Sequence, residues 1–262
     1  MFGWAAEAGR DYVSASPCIN LPPLDEEHPR TRVLNEDEIR TLWHGLDRAD
    51  LPWDRKTRLA LKFALVTMLR SVELLHIHRS ELNSHEGKPV VDIPARRVKK
   101  RRVINQPLSD LAMEILNEVL GNYDYVFVGR FGDAPLARNA MATALRGRKE
   151  KVKGKMVVKS VGLCQLLGIA PFTPHDLRRT AATICGRWFS DAEIAPCLDH
   201  QPTKDANGKP LPAVTGRHYN HAQRKNMEAK RKVLDRWAAE LRRIISEPAE
   251  MHHADAAMRR AA

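Results

Sequence analysis

The side chains best placed for chemistry are cations spaced to meet an anion, with one phenol beside them. Thr173 to Thr183 read TPHDLRRTAAT, so His175 stands three residues before Arg178, with Arg179 next to it. Residues three apart share one face of a helix. Pro174 suits a first helical turn, where free N–H groups and the dipole favour an anion. His175 and Arg178 can therefore converge on one phosphate, while Arg179 points elsewhere. Arg70 lies in VTMLRSVELL, among Met68, Leu69, Val72 and Leu74. A guanidinium in such company must be paired or face a ligand. Glu73, one turn on, can hold it, which equally describes a structural ion pair.

Lys99 belongs to RRVKKRR. Such a run serves as a solvated or phosphate-facing surface, yet one lysine held on a hairpin can reach a single leaving oxygen. Lys99 and Lys100 cannot both point to the same side of a strand. His200, in CLDHQP, follows a helix end, where a histidine also serves as a C-terminal partner. Of four tyrosines, Tyr12 lies in the leader, and Tyr123 and Tyr125 read as core. Tyr219 alone sits among cations, beside Arg217, His218 and His221. A phenol, with its pKa of ~10, is a poor nucleophile at neutral pH. Positive neighbours lower that pKa and attract the phosphate it would attack.

Elements must position these residues, and 262 residues suffice for one large domain or two small ones with a real core. A 43% apolar and 29% charged composition is globular. Lys and Arg outnumber Asp and Glu by 43 to 32, a net +11 that favours a polyanionic partner. Cys18, Cys164, Cys185 and Cys197 form no C-x-x-C pair or zinc spacing and read as reduced thiols, so neither metal nor cofactor is expected. The longest apolar run, LALKFALVTML, is short and broken by Lys62, so no membrane partner is expected, and the cytoplasm is the expected compartment.

Residues 1–30 read as a leader: SASPCINLPPL is a linker, and FGWAAEAGR could end a helix of an upstream domain. LNEDEIRTLWHGLD predicts a helix capped by Asn35 with Glu38. Residues 56–75 predict one buried helix, PVVDIPARRVKKRRVINQPL a hairpin, and SDLAMEILNEVLGN an amphipathic helix. YDYVFVG reads as a short buried strand or extended segment. ARNAMATALRGRKEKVKGK starts helical and ends in a solvated or DNA-facing loop. Helices follow near His175 to Phe189 and near Asp191 to Asp199, then a long loop. A terminal helix carries Val233, Leu234, Trp237, Leu241 and Ile244 on one face, packing in cis or swapping into a neighbour. Residues 246–262 read as a flexible tail. The expectation is an α+β domain over 31–245, mainly α-helical with one small antiparallel sheet.

Taken in order, these residues resemble the tyrosine recombinases, the phage and genomic-island integrase family. TPHDLRRT resembles the family's His-x-x-Arg box and TMLRSVEL its first-arginine box, T-G-x-R-x-x-E. IPARRVKKRRVINQPLS resembles its lysine hairpin, LDH its L-G-H box and HYNH its nucleophile segment. Two features depart: Met68 stands where the first box has glycine, which could shift the backbone near Arg70, and TKDANGKPLPA looks inserted before Tyr219. The resemblance implies the catalytic domain of a DNA breaking-rejoining enzyme, with the core-binding domain upstream of it. In that reading Tyr219 attacks a DNA phosphate to give a 3′-phosphotyrosyl bond and a free 5′-hydroxyl, without metal or nucleotide. Arg70 and Arg178 clamp the non-bridging oxygens, and Glu73 orients Arg70. His175 acts as base or phosphate donor, Lys99 protonates the leaving oxygen, and His200 donates to the phosphate.

Arg96, Arg97, Lys100, Arg101, Arg102, Lys151, Lys153 and Arg217 then hold the DNA backbone, with salt-sensitive binding. The implied partners are a double-stranded attachment site, further copies in a tetrameric synapse of the full-length enzyme, and accessory bending or excision factors. The rivals are a non-cleaving DNA-binding regulator of the same fold and a type IB topoisomerase-like enzyme.

Overall fold

The computed structural model describes residues 2–10, 12–17, 31–98, 102–130, 132, 134–152, 155–200 and 222–247. They fall into two compact units, Met1–Thr31 and Arg32–Ala262. The first holds a short helix, α1 (Phe2–Ala5). Beside it Trp4 stacks on Tyr12 at 5.8 Å, with the Arg10 guanidinium 4.6 Å from the Trp4 ring. Residues 18–30, most of the expected linker, lie outside the described residues.

The second unit opens with α2 (Glu36–Gly45). Asn35 Oδ1 accepts the Glu38 N–H at 2.8 Å and Glu38 Oε2 accepts the Asn35 N–H at 3.1 Å, the reciprocal cap expected from the sequence. Asp54 caps α3 (Arg55–Thr67), which is buried from Thr57 to Thr67. Lys62, the charge in that apolar run, reaches both Asp47 carboxylate oxygens at 2.6 and 2.7 Å. Burial still holds its pKa below the ordinary lysine value, against the pull of Asp47.

One helix was expected over 56–75, but the structure breaks it. Met68 adopts φ 57°, ψ 16° and ends α3, and α4 (Ser71–Leu75) starts afresh. The cause is backbone rather than composition, because a left-handed residue closes a helix whatever its side chain. β1 (Leu82–His85), β2 (Lys88–Ile93) and β3 (Ile104–Pro107) form an antiparallel sheet in the order β1-β2-β3. A two-residue turn, Glu86 (φ 54°) and Gly87 (φ 76°), joins β1 to β2. Ile93 pairs with Ile104 in the expected β2–β3 hairpin, and residues 99–101 of the basic stretch lie outside the described residues.

Ser109 caps α5 (Asp110–Val119). YDYVFVG is the extended segment of the two expected alternatives rather than a strand: it makes single bridges, His78 to Tyr125 and Val128 to Pro135. Tyr123 is not core either. It is 44% exposed, with the Lys56 ammonium 4.6 Å from its ring, because the segment has no ladder to pin it inward. α6 (Ala140–Arg146) is the expected helix, but its basic sequel is no loop. β4 (Gly147–Val152) and β5 (Lys155–Val161) pair as a separate antiparallel ribbon, so the described residues form two sheets rather than the one expected. Gly162 crosses the end of α6 so closely that a Cβ there would meet Leu145 O at 2.4 Å.

α7 (Leu163–Leu166), α8 (Pro174–Cys185), α9 (Asp191–Ile194) and α10 (Ala222–Ser246) complete the unit. α8 and α9 end before the expected Phe189 and Asp199, in short hydrogen-bonded turns. α3 is the centre, touched by α5, α6, α8 and α10. α10 packs in cis: Val233, Leu234, Trp237, Leu241 and Ile244 are buried and Trp237 Nε1 donates to Leu65 O at 2.8 Å. Arg40 Nε closes the far end of α10 by donating to Ile244 O at 2.9 Å. Each such side chain contributes about 1.5–3 kcal/mol by leaving water, so the stripe fastens this helix to its own core. The result is an α+β unit, mainly helical, with small antiparallel sheets.

Candidate functional site

Arg70 occupies the extended residue between α3 and α4, at φ −71° and ψ 149°. The turn at Met68 delivers it there, and Glu73 fixes it. Glu73 Oε2 accepts the Arg70 backbone N–H at 2.8 Å while Oε1 accepts Nη1 at 2.6 Å. Glu73 is 5% exposed while the Arg70 side chain is 34% exposed, so a buried carboxylate holds a partly exposed guanidinium. Burial alone would lower the Arg70 pKa, but Glu73 and Asp199 outweigh it and the group stays firmly charged.

Arg178 reaches the same place from α8. Its Nη1 donates to Met68 O at 2.5 Å and its Nη2 to Leu198 O. Arg70 Nη2 lies 3.4 Å from the same Leu198 oxygen, so the two guanidinium groups share one carbonyl. Burial, then the charge on Arg70, pushes the Arg178 pKa down to about 10. Both groups remain cations at neutral pH, held together although they repel. Such an arrangement favours an anion in its mouth.

The α8 N-terminus is built as its sequence suggested. Thr173 caps it, and its N–H and hydroxyl both donate to Asp176 Oδ2 at 2.8 Å. Arg179 turns away and pairs with Asp176 at 2.6 Å. His175 is exposed on the Arg178 side. Desolvation by the protein around the ring, then Arg178 and Arg179, hold its pKa below the ordinary histidine value. A neutral imidazole beside two cations can accept a proton.

His200 follows the turns after α9, where its N–H donates to Ala195 O at 2.9 Å. Its neighbour Asp199 was not singled out by sequence. Asp199 adopts φ 46°. Its carboxylate lies 3.4 Å from Arg70 Nη1 and accepts Arg102 Nε at 2.5 Å, and Arg102 Nη2 donates to its carbonyl at 2.5 Å. Gln106 was also missed. Fully buried on β3, it donates to Thr67 O at 2.7 Å and Cys197 O at 3.2 Å, and its Oε1 lies 3.5 Å from Lys230 Nζ. One amide thus ties α3, the segment before Asp199, and α10. The available signal was the alternation: Gln106 shares the face of Ile104 on β3, where an apolar residue would be expected.

Of the residues read as DNA-backbone contacts, Arg96 and Lys151 are exposed. Arg97 is instead bonded to Glu81 and lies 3.4 Å from the Glu73 carbonyl, bracing α4 from behind. Arg102 is bound to Asp199. Arg70, Glu73, His175 and Arg178 are thus brought together, with His200 adjoining through Asp199. Lys99, Lys100, Arg101, Lys153, Arg217 and Tyr219 lie outside the described residues.

Comparison with known proteins adds family and fold. Residues 32–205 match the phage integrase family. The prophage integrase IntZ of Escherichia coli (strain K12) is 32% identical over 111 residues, covering 41% of this chain and 26% of that protein. A lambda integrase dimer bound to a COC′ core site superposes with a TM-score of 0.53 at 16% identity, over 79% of this chain and 54% of that one. The integrase of mycobacterium phage Brujita gives 0.51 at 17% identity, over 94% and 73%. At these identities the two structures establish the fold. This chain spans about a quarter of IntZ and about half of the lambda integrase chain.

Proposed function

The chain belongs to the phage integrase family, and we propose that it is the catalytic part of a site-specific recombinase that cuts and rejoins double-stranded DNA during integration or excision of a mobile element. One observation carries this reading. Arg70 and Arg178, far apart in sequence, meet at the Leu198 carbonyl with His175 beside them, a cationic mouth fitted to one phosphodiester.

In the proposed step the Tyr219 oxygen attacks phosphorus, the O–P bond forms, and the bond to the 5′ oxygen breaks. The phenolic proton passes to His175, and Lys99 supplies a proton to the departing 5′ oxygen. Arg70 and Arg178 stabilise charge on the non-bridging oxygens, and His200 donates to the same phosphate. The step uses no metal and conserves the ester's energy, so a 5′-hydroxyl of another strand can reverse it. Exposed Arg96 and Lys151, together with Lys100, Arg101, Lys153 and Arg217, hold the flanking backbone. Residues 31–245 form the catalytic domain, acting in the bacterial cytoplasm, and copies assemble on an attachment site with accessory bending or excision factors. The solved lambda integrase dimer on its core site supports a DNA-bound assembly.

The test is covalent trapping on a nicked suicide substrate carrying the attachment site, without metal or ATP, beside Tyr219→Phe. A protein–DNA band that survives a denaturing gel and vanishes in the variant is expected. No band on DNA that the chain binds would favour the non-cleaving regulator. A band with relaxation of supercoils but no recombinants would favour the topoisomerase-like enzyme.

A further inference from the structure

The unexplained group in this site is a carboxylate among its cations. Asp199 is an L-residue at φ 46°, a conformation in which glycine would be free of strain. Its side chain is 10% exposed and lies between Arg70 and Arg102. Arg70 already has a buried partner in Glu73, at 2.6 Å and with good geometry, so Asp199 is not needed to pair it. The Asp199 contact to Arg70 is the looser one, at 3.4 Å, and it falls on the same Nη1 that Glu73 holds at 2.6 Å. Arg102 holds the same carboxylate closely from the other side, at 2.5 Å.

We propose that Asp199 is an internal counter-anion of the phosphate clamp, which offsets the charge of Arg70 at Nη1 until an incoming phosphate displaces it toward Arg102. The inference rests on reading Arg70 and Arg178 as that clamp. Its physical content is competition. A phosphate cannot join Glu73 and Asp199 around the Arg70 guanidinium without repulsion, and the weakest-held anion yields. The Arg102 bond keeps the displaced carboxylate nearby, so it returns when the phosphate leaves. Asp199 therefore lowers the resting affinity of the clamp for any single phosphate, and neighbouring backbone contacts must supply the rest. The arrangement discriminates against isolated phosphates and in favour of extended DNA.

The experiment uses inorganic phosphate as the probe, because a small anion reads the clamp without the flanking contacts. Thermal unfolding of the chain is followed in phosphate against chloride at matched ionic strength, for the parent, Asp199→Asn, and Asp199→Asn combined with Arg70→Ala. Asparagine keeps the shape and tolerates positive φ, so the variant folds. The expected result is a phosphate affinity about tenfold higher in Asp199→Asn, the equivalent of ~1.4 kcal/mol, with the gain abolished when Arg70 is also removed. An unchanged or weaker affinity in Asp199→Asn overturns the proposal and leaves Asp199 a structural link. A gain that survives loss of Arg70 overturns it too, since net charge alone would then explain it. A gain through Arg70 in a chain that forms no covalent DNA adduct leaves this inference standing while the recombinase reading fails.

Discussion

Two turns flank the site, and both place an L-residue in the left-handed region, yet they differ in what the side chain does. Met68, at φ 57°, is fully buried beneath α4 and fills the core. Asp199, at φ 46°, faces Arg70 and Arg102 and carries charge. The matching boxes of the resembled family carry glycine at both places. The expectation that Met68 would shift the backbone near Arg70 is therefore answered locally: the residue takes the left-handed conformation itself, and α4 begins at Ser71 with Arg70 capped by Glu73. One turn meets its backbone cost with apolar packing and the other with ion pairs. Arg178 joins them, since its two nitrogens bond Met68 O in the first turn and Leu198 O beside the second.

The largest expected effect comes from cutting that joint. Arg178→Ala strands the Met68 carbonyl, leaves Leu198 O only its longer contact to Arg70, and opens a cavity at a 3% exposed position, so a stability loss of about 2–4 kcal/mol is expected. Urea unfolding measures it, and trapping of DNA should vanish. A loss below 1 kcal/mol would mean that the turns stand independently of Arg178.

The next effect separates packing from strain. Met68→Ala removes a buried side chain and should cost about 2–5 kcal/mol. Met68→Gly removes slightly more but frees a left-handed backbone, worth roughly 1–2 kcal/mol. Glycine should therefore be the more stable variant, by about 1 kcal/mol, which reverses the usual order of these residues inside a helix. Finding alanine ahead would show that the turn relaxes once the methionine is gone.

Much of this was legible in the sequence where the signal is local. Asn35 with Glu38, Ser109, and the stripe from Val233 to Ile244 act within a few residues, and each element formed as read. Pairing of Arg70 with Glu73 and the turning away of Arg179 follow from helical spacing. The break at Met68 has no compositional signature, because apolar residues run up to it and a left-handed methionine looks like any other; only the glycine of the resembled box pointed to that position. The β4–β5 ribbon was hidden because lysines and arginine stand on both sides of its alternation: Lys149 faces Val158, and Lys151 faces Met156. Roles for Asp199, Arg102 and Gln106 needed partners from other elements. Arg102 in a basic run looks like a DNA contact until the fold brings it to Asp199.

The smallest effect concerns the residue between the turns that titrates near neutrality. Burial and then the cations Arg178 and Arg179 hold the His175 pKa below the ordinary value of 6.5. Lowering means that the charged form is disfavoured in the folded chain, so the neutral, proton-accepting imidazole persists as pH falls through 6.5. The rate of covalent trapping, measured on pre-bound DNA, should thus stay flat through 6.5 and fall only at lower pH. Arg179 offers a way to sharpen this, because its guanidinium acts on His175 through space while its hydrogen bond goes to Asp176. Arg179→Gln should move the acid limb upward by a few tenths of a unit, equivalent to about 0.3–0.5 kcal/mol, without abolishing trapping. A limb that lies at or above the ordinary histidine value in the parent chain would remove His175 from the role of base and leave it a phosphate donor, whose charged form the reaction would then require.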